Sequence, residues 1–191
     1  KNTARLSKAF TLLHGMKTKL GIPNNVVENA AYIYRKAVDA KLTRGRTMVS
    51  LVSASLYAAC REHNIPRTLD DIANAGNTER RTLSRDLRTI IQKLELNLKP
   101  HDTTMFITKI SNNMSLKEKT KRDALEILKL CEEKEITAGK HPVAQAAASL
   151  YIASIRNGEK ISQKKFSVES GISDVTIRNR VALINETLNL A

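Results

Sequence analysis

The chain repeats itself once. Shifted by 94 positions, Ala54-Ser55-Leu56-Tyr57 falls on Ala148-Ser149-Leu150-Tyr151, and Thr43 with Gly45 falls on Thr137 with Gly139. The same offset pairs Ala59 with Ala153, Thr82 with Thr176, Ile90 with Ile184 and Leu94 with Leu188, with no gap from Thr43 to Leu96. Identities at one fixed offset mean two copies of one structural unit. The 191 residues therefore hold two small domains, 1–97 and 98–191, each with a core of its own to bury.

Within each copy apolar residues recur at spacings of three and four, the period of a helix, and strand-like alternation is absent. In the first copy the spacing predicts helices over 2–20, 24–40, 48–63, 68–76 and 79–94. Leu6, Phe10, Leu13 and Met16 face inward on the first; Gly21-Ile22-Pro23 breaks it. Val27, Ala30, Ala31, Tyr34 and Val38 face inward on the second. The third is apolar nearly all round and rich in small residues, which places it at the centre of its unit. The second copy predicts helices over 102–114, 116–135, 142–157, 162–170 and 174–190. Ser115 with Glu118 reads as a capping box, and Pro142 fits a first helical turn. The fold class is all-α, two five-helix units with Pro100 near the boundary. Tyr57 and Tyr151, at equivalent positions, are core residues by pattern.

The stretch 162–190 carries the sharpest functional signal. Two apolar runs meet at Gly171, a residue that turns without steric penalty. Phe166 and Val168 are placed inward on the first; Ile177, Val181, Ile184 and Leu188 form one stripe on the second. Ser173 stands where a side-chain oxygen caps the second helix, and Asp174 suits its positive end. This is helix-turn-helix grammar, in which the first residues of the second helix meet base edges in a major groove. Here they are Val175, Thr176 and Arg178. Arginine bonds guanine through two parallel hydrogen bonds, and valine and threonine methyls suit the thymine methyl. Lys164 and Lys165, before the turn, suit phosphates that position without specifying. The bland alternative is a helical corner of a kind many all-α proteins carry, with Arg178, Arg180 and the two lysines simply solvated.

Charge separates these readings. Lys and Arg number 32 against 19 Asp and Glu, a net of +13, which favours a polyanionic partner. Residues 1–97 hold 17 basic and 8 acidic residues, and 98–191 hold 15 and 11. With 41% hydrophobic residues this is no disordered basic tail. Aromatics are only 4% and tryptophan is absent, which disfavours single-strand binding on stacking platforms. Lys117, Lys119, Lys121 and Arg122 form another basic run, but Glu118, Asp123 and Glu126 interleave with it as helix-face partners.

Catalysis has no support. His14, His63, His101 and His141 are scattered, none at metal spacing to another histidine or cysteine. No GxxxxGK, HExxH or GxSxG occurs, and Gly139-Lys140 lacks the glycine-rich loop of a nucleotide phosphate cradle. Neither an enzyme nor a metal site is expected. Cys60 and Cys131 lie in apolar helical runs without a CxxC, as reduced, buried cysteines of an intracellular protein do. No apolar run reaches the length of a membrane span, no signal-peptide pattern opens the sequence, and Lys1 as first residue reads as a fragment or processed chain.

Residues 44–73, RGRTMVSLVSASLYAACREHNIPRTLDDIA, resemble the first cyclin-type repeat of the transcription factor IIB family, its archaeal members above all. Residues 172–180, ISDVTIRNR, resemble the recognition helix of that family's second repeat, and the likeness covers essentially the whole chain. It implies two cyclin-like five-helix repeats, the second ending in a helix-turn-helix. It also implies an initiation factor, a monomer when free, intracellular, and in cytoplasm and nucleoid if archaeal. Such a factor clamps the complex of the TATA-binding protein with bent double-stranded promoter DNA. It reads the B recognition element upstream of the TATA box and helps bring in RNA polymerase. On matching positions Val175, Thr176 and Arg178 are the base readers. Arg44-Gly45-Arg46 match a first-repeat loop that approaches the minor groove downstream of the TATA box. There Gly45 lets the backbone come close, and arginines suit a narrow, negative groove. Arg61, Arg80, Arg81 and Arg85 match positions near an acidic edge of the TATA-binding protein. The family's zinc ribbon lies outside this sequence, so no cofactor is expected in this chain. Ser167 stands where a helix-turn-helix usually has alanine, and Glu79 and Asp86 interrupt the basic first-repeat surface. The rival is a cyclin-like protein–protein regulator such as a kinase activator, which has no use for Val175-Thr176-x-Arg178 at a helix start.

Overall fold

The computed structural model describes residues 2–190, and among them ten helices follow one another with no strand. The first unit, Lys1–Pro100, contains α1 (Asn2–Leu20), α2 (Asn24–Asp39), α3 (Met48–Glu62), α4 (Leu69–Gly76) and α5 (Arg80–Lys93). The second, His101–Ala191, contains α6 (Thr103–Asn113), α7 (Glu118–Glu133), α8 (Pro142–Arg156), α9 (Gln163–Ser170) and α10 (Asp174–Leu188). Among the described residues no helix is long and apolar enough to cross a membrane.

Each unit is wound about its third helix. Residues 50–60 of α3 are all buried, and α3 packs against α1, α2, α4 and α5. In the second unit α8 packs in the same way against α6, α7, α9 and α10. Alanines such as Ala54, Ala58, Ala146 and Ala147 let neighbours close in from every side. Gly76 does so for α4, since a Cβ there would lie 2.4 Å from Ser53 Oγ. Leu13, Ile33, Tyr34, Leu56, Ile72 and Ile90 fill the first core; Ile107, Ile127, Leu150, Phe166, Ile177 and Ile184 fill the second. Cys60 and Cys131 are free and buried. Burial pushes the Cys60 thiol up to about 12, so at neutral pH it stays an unreactive thiol.

The helix starts follow local chemistry, with one correction. Thr47 caps α3 by accepting the Ser50 N–H, and Thr68 with Asp71 forms a full capping box on α4. The capping box expected of Ser115 and Glu118 does not form. Ser115 takes a left-handed conformation (φ 52°) to turn the chain after α6, which is incompatible with the extended backbone of an N-cap. Lys117 stands before α7 instead, and its N–H donates to Glu159 Oε1 at 3.0 Å. A carboxylate remote in sequence thus satisfies the N–H of the N-cap residue, the place a capping-box glutamate would fill.

Gly15 offers a simple check on α1. It sits exposed in the helix, and a Cβ added there meets nothing within 4 Å. Gly15→Ala removes backbone freedom from the unfolded chain without touching the folded one. Chemical denaturation is expected to show the first unit stabilised by about 0.5–1 kcal/mol. A loss of stability would place α1 in a different register.

Candidate nucleic-acid interface

The corner between α9 and α10 is held by three serines. Gly171 closes α9 with φ 69°, and the Ser167 hydroxyl donates to the Ile172 carbonyl at 2.6 Å. Serine where alanine is usual therefore adds a staple to the turn. The Ser170 hydroxyl donates to the Phe166 carbonyl and accepts the Ile172 N–H. Ser173 caps α10 by accepting the Thr176 N–H at 3.2 Å, as its position suggested.

Beyond that cap the helix divides into two faces. Ile177, Arg180, Val181 and Ile184 are buried; Val175 (60% exposed), Thr176 and Arg178 face solvent. The Thr176 hydroxyl lies 2.8 Å from Ser173 Oγ, which leaves its methyl as the group on offer. Arg178 makes no hydrogen bond or ion pair among the described residues. Lys164 and Lys165 are exposed in the first turn of α9. One apolar methyl pair, one free guanidinium and two lysines thus share one corner.

Two expectations about this corner are corrected. Val168 does not face inward; it is 77% exposed, because residues two apart on a helix point roughly 200° apart and Phe166 takes the buried side. Arg180 is not a solvated charge. It is 7% exposed, and its guanidinium donates to the Ile136 carbonyl at 3.2 Å, tying α10 to the loop before α8. Burial lowers its pKa, because desolvation works against the charged guanidinium.

The equivalent corner of the first unit has the opposite character. Asn77 turns it in a left-handed conformation (φ 50°), where Gly171 turns the second. Asp70 and Asp71 occupy the places of Lys164 and Lys165, Arg80 and Arg81 those of Asp174 and Val175, and Ser84 that of Arg178. Asp71 is used in the capping box, and Asp70 pairs with Arg80 at 3.2 Å. An acidic α4 start would repel a phosphate backbone, so of the two corners the second is the one whose charges suit DNA. The 94-residue offset carries this signal in full, although residue types must be compared across it, beyond the identities, to see it.

The remaining basic candidates fall into three places. Arg44 is exposed on the loop before α3, next to Gly45 (φ 68°). Arg46 turns the other way. Its Nε lies 3.2 Å from Asp86 Oδ1, one terminal nitrogen donates to the Leu42 and Arg44 carbonyls, and the other donates to Thr89 Oγ1. Asp86 is fully buried, where it also takes the Ser50 hydroxyl and the Arg85 Nε, so it does not interrupt the basic surface as expected. Arg81, Arg85 and Arg88 lie exposed at i, i+4 and i+7 on α5, one stripe to which the sequence reading did not add Arg88. Arg61 lies 6.0 Å from the Tyr57 ring centroid and donates to the Lys99 carbonyl. Burial raises the Tyr57 pKa, and the neighbouring Arg61 guanidinium works against that rise. Among the described residues no cluster of histidine, cysteine, aspartate or glutamate is arranged to hold a metal ion.

Comparison with known proteins agrees with this two-unit organisation. The family described as "Transcription factor TFIIB repeat" matches residues 2–93 and again 96–187. "Transcription initiation factor IIB 2" of Thermoplasma acidophilum is 41% identical over 97% of this chain and 61% of its own length. "Transcription initiation factor IIB" of Archaeoglobus fulgidus is 41% identical over 99% of this chain and 59% of its own, and that of Methanosarcina mazei 39% over 99% and 57%. The chain spans about three-fifths of the length of these curated relatives. Since each five-helix unit coincides with one match, the chain belongs to the transcription factor IIB family as a tandem pair of its repeats.

Proposed function

We propose that the chain is the promoter-binding core of an intracellular transcription initiation factor, and that α10 reads the B recognition element in the major groove upstream of the TATA box. The outward set of Val175, Thr176 and Arg178 at the capped head of α10 carries this reading. Val175 and Thr176 supply methyls for thymine, and Arg178 supplies a fork for guanine. Lys164 and Lys165 hold phosphates beside them and fix the helix in the groove. In the first unit Arg44, with Gly45, approaches the DNA downstream. Arg46 shapes that loop from inside through Asp86.

The stripe on α5 serves the protein partner. Arg81, Arg85 and Arg88 face an acidic edge of the TATA-binding protein, with Arg80 and Arg61 flanking them. Like charges gathered on one helix speed encounter with an acidic surface and fix its orientation. Because the two corners carry opposite chemistry, the chain can sit on a promoter in one direction only. RNA polymerase is the partner this orientation serves.

Gel-shift titration with a promoter duplex, with and without the TATA-binding protein, tests the proposal. Arg178→Ala is expected to weaken the complex by about 5- to 150-fold on DNA carrying the upstream element. On DNA with only a TATA box it should change little. Equal losses on a scrambled upstream sequence would refute base reading. Indifference of the unaltered chain to both DNA and the TATA-binding protein would favour the cyclin-like regulator.

A further inference from the structure

Both repeats tie their last helix to the same backbone carbonyl, by opposite means. Leu42 and Ile136 are equivalent under the 94-residue offset, and both carbonyls, just after the second helix of their unit, accept from a guanidinium. In the first unit the link has two steps: Asp86 of α5 holds Arg46 at 3.2 Å, and Arg46 donates to the Leu42 carbonyl at 3.1 Å. In the second unit Arg180 of α10, at the position of Asp86, donates to the Ile136 carbonyl directly at 3.2 Å. The charge is reversed and the tie is kept. Two chemistries that converge on one connection point to the connection itself as what the last helix needs.

What α10 gains from it is direction. The buried residues of that helix are Ile177, Arg180, Val181 and Ile184. Three of them are held by apolar contacts, which are non-directional and let a helix roll in its seat. A hydrogen bond fixes an angle as well as a distance, and Arg180 is the one side chain of the four able to make it. Arg178 stands two residues away, roughly 200° round the helix, so a roll at the buried guanidinium swings the exposed one. At the helix surface, about 5–6 Å from the axis, a roll of about 20° moves a side chain by about 2 Å. A two-pronged bond to a base edge does not survive that displacement.

We infer that Arg180 is a specificity-determining positioning residue: its bond to the Ile136 carbonyl sets the roll of α10, which aims Arg178 at its base edge while Arg180 itself touches no DNA. This rests on the reading of Arg178 proposed above. At 7% exposure its guanidinium is not offered to a phosphate, so its removal leaves the salt dependence of binding alone. Gln145 provides a control in the same core. It is 2% exposed on α8, which packs against α10, and neither polar atom of its amide has a hydrogen-bond partner among the described residues. The equivalent residue of the first unit is Leu51, fully buried. Gln145→Leu therefore removes an unsatisfied amide and raises stability, with the Arg180 tie left in place.

Gel-shift titration of the complex with the TATA-binding protein, on matched and scrambled upstream DNA, tests this. Arg180→Met is expected to lower the matched-to-scrambled binding ratio by about 5-fold or more. Binding to the scrambled duplex, and the slope of log K against log salt, should change little. Arg180→Lys, which keeps a charged donor for the carbonyl, should recover part of the ratio. In an Arg178→Ala background Arg180→Met should lower the ratio little further, since the side chain being aimed is gone. Gln145→Leu should raise the denaturation midpoint and leave the ratio unchanged; joined to Arg180→Met, it should restore stability but not the ratio. Equal losses on both duplexes, a slope shallower by about 0.9, or losses that add to those of Arg178→Ala would overturn the inference. So would a ratio restored by Gln145→Leu, because stability alone would then have been lost. If Arg180→Met leaves the ratio intact while Arg178→Ala abolishes it, the positioning role fails and base reading stands. If the unaltered chain shows no preference for the matched duplex, the reading itself has failed.

Discussion

Phe166→Ala is expected to lower the stability of the second unit by about 3–5 kcal/mol, the largest effect of any single truncation in the corner. α9 has eight residues, too few to persist as an isolated helix. Its buried residues are Phe166 and Ser170 alone, so one aromatic side chain anchors the whole element to the core. Phe166 is fully buried and meets the Tyr151 ring edge-on, centroids 5.8 Å apart and planes at 81°. Such a pair adds about 0.5–1.5 kcal/mol to the burial itself. The Phe166 carbonyl also accepts the Ser170 hydroxyl, which in turn accepts the Ile172 N–H, so loosening the ring loosens the corner. DNA binding should fail together with the cooperative unfolding of this unit. Val168→Ala, two residues away and solvent-facing, should leave both nearly unchanged. Denaturation curves of the two variants check this directly; similar costs would mean that α9 is seated differently.

The contrast between Phe166 and Val168 shows how far the sequence could be read. The repeat, the central apolar helices, the capping by Ser173 and the outward set on α10 follow from spacing, and the structure has them. By residue type alone Val168 reads as a core position, yet it is exposed. Helical geometry requires this, since 166 and 168 cannot share a face. The buried charges failed for the opposite reason. Asp86 and Arg180 look like surface residues by type, yet each lies on the apolar stripe of its helix: Leu83, Asp86, Leu87 and Ile90 in α5, and Ile177, Arg180, Val181 and Ile184 in α10. Position outweighed chemistry at both sites. What spacing could not supply is the partner, because Arg46 and Ile136 lie 40 and 44 residues away, and the carboxylate of Glu159 reaches Lys117 across 42.

Asp86→Ala is expected to destabilise the first unit by about 3 kcal/mol, below the upper range for a broken buried ion pair because Arg46 keeps 24% exposure and can turn toward water. The carboxylate is the hub of the loop before α3. It takes the Ser50 hydroxyl at 2.5 Å and the Arg46 Nε at 3.2 Å, and through Arg46 it holds the Leu42 and Arg44 carbonyls. Removing it leaves a buried hydroxyl without its acceptor and a guanidinium without its counter-charge, each a penalised state. Arg46→Ala should cost less, because Asp86 retains Ser50 and Arg85. If Arg46 is held chiefly by Asp86, the double variant should cost little more than Asp86→Ala alone, a coupling of at least about 1 kcal/mol. Simple additivity would show that the loop is shaped by its own carbonyl bonds. The same cycle read by promoter binding then distinguishes the two arginines of the loop. Arg44→Ala should weaken binding without changing stability, whereas Arg46→Ala should weaken it only in step with the loss of loop structure, since its side chain is occupied within the protein.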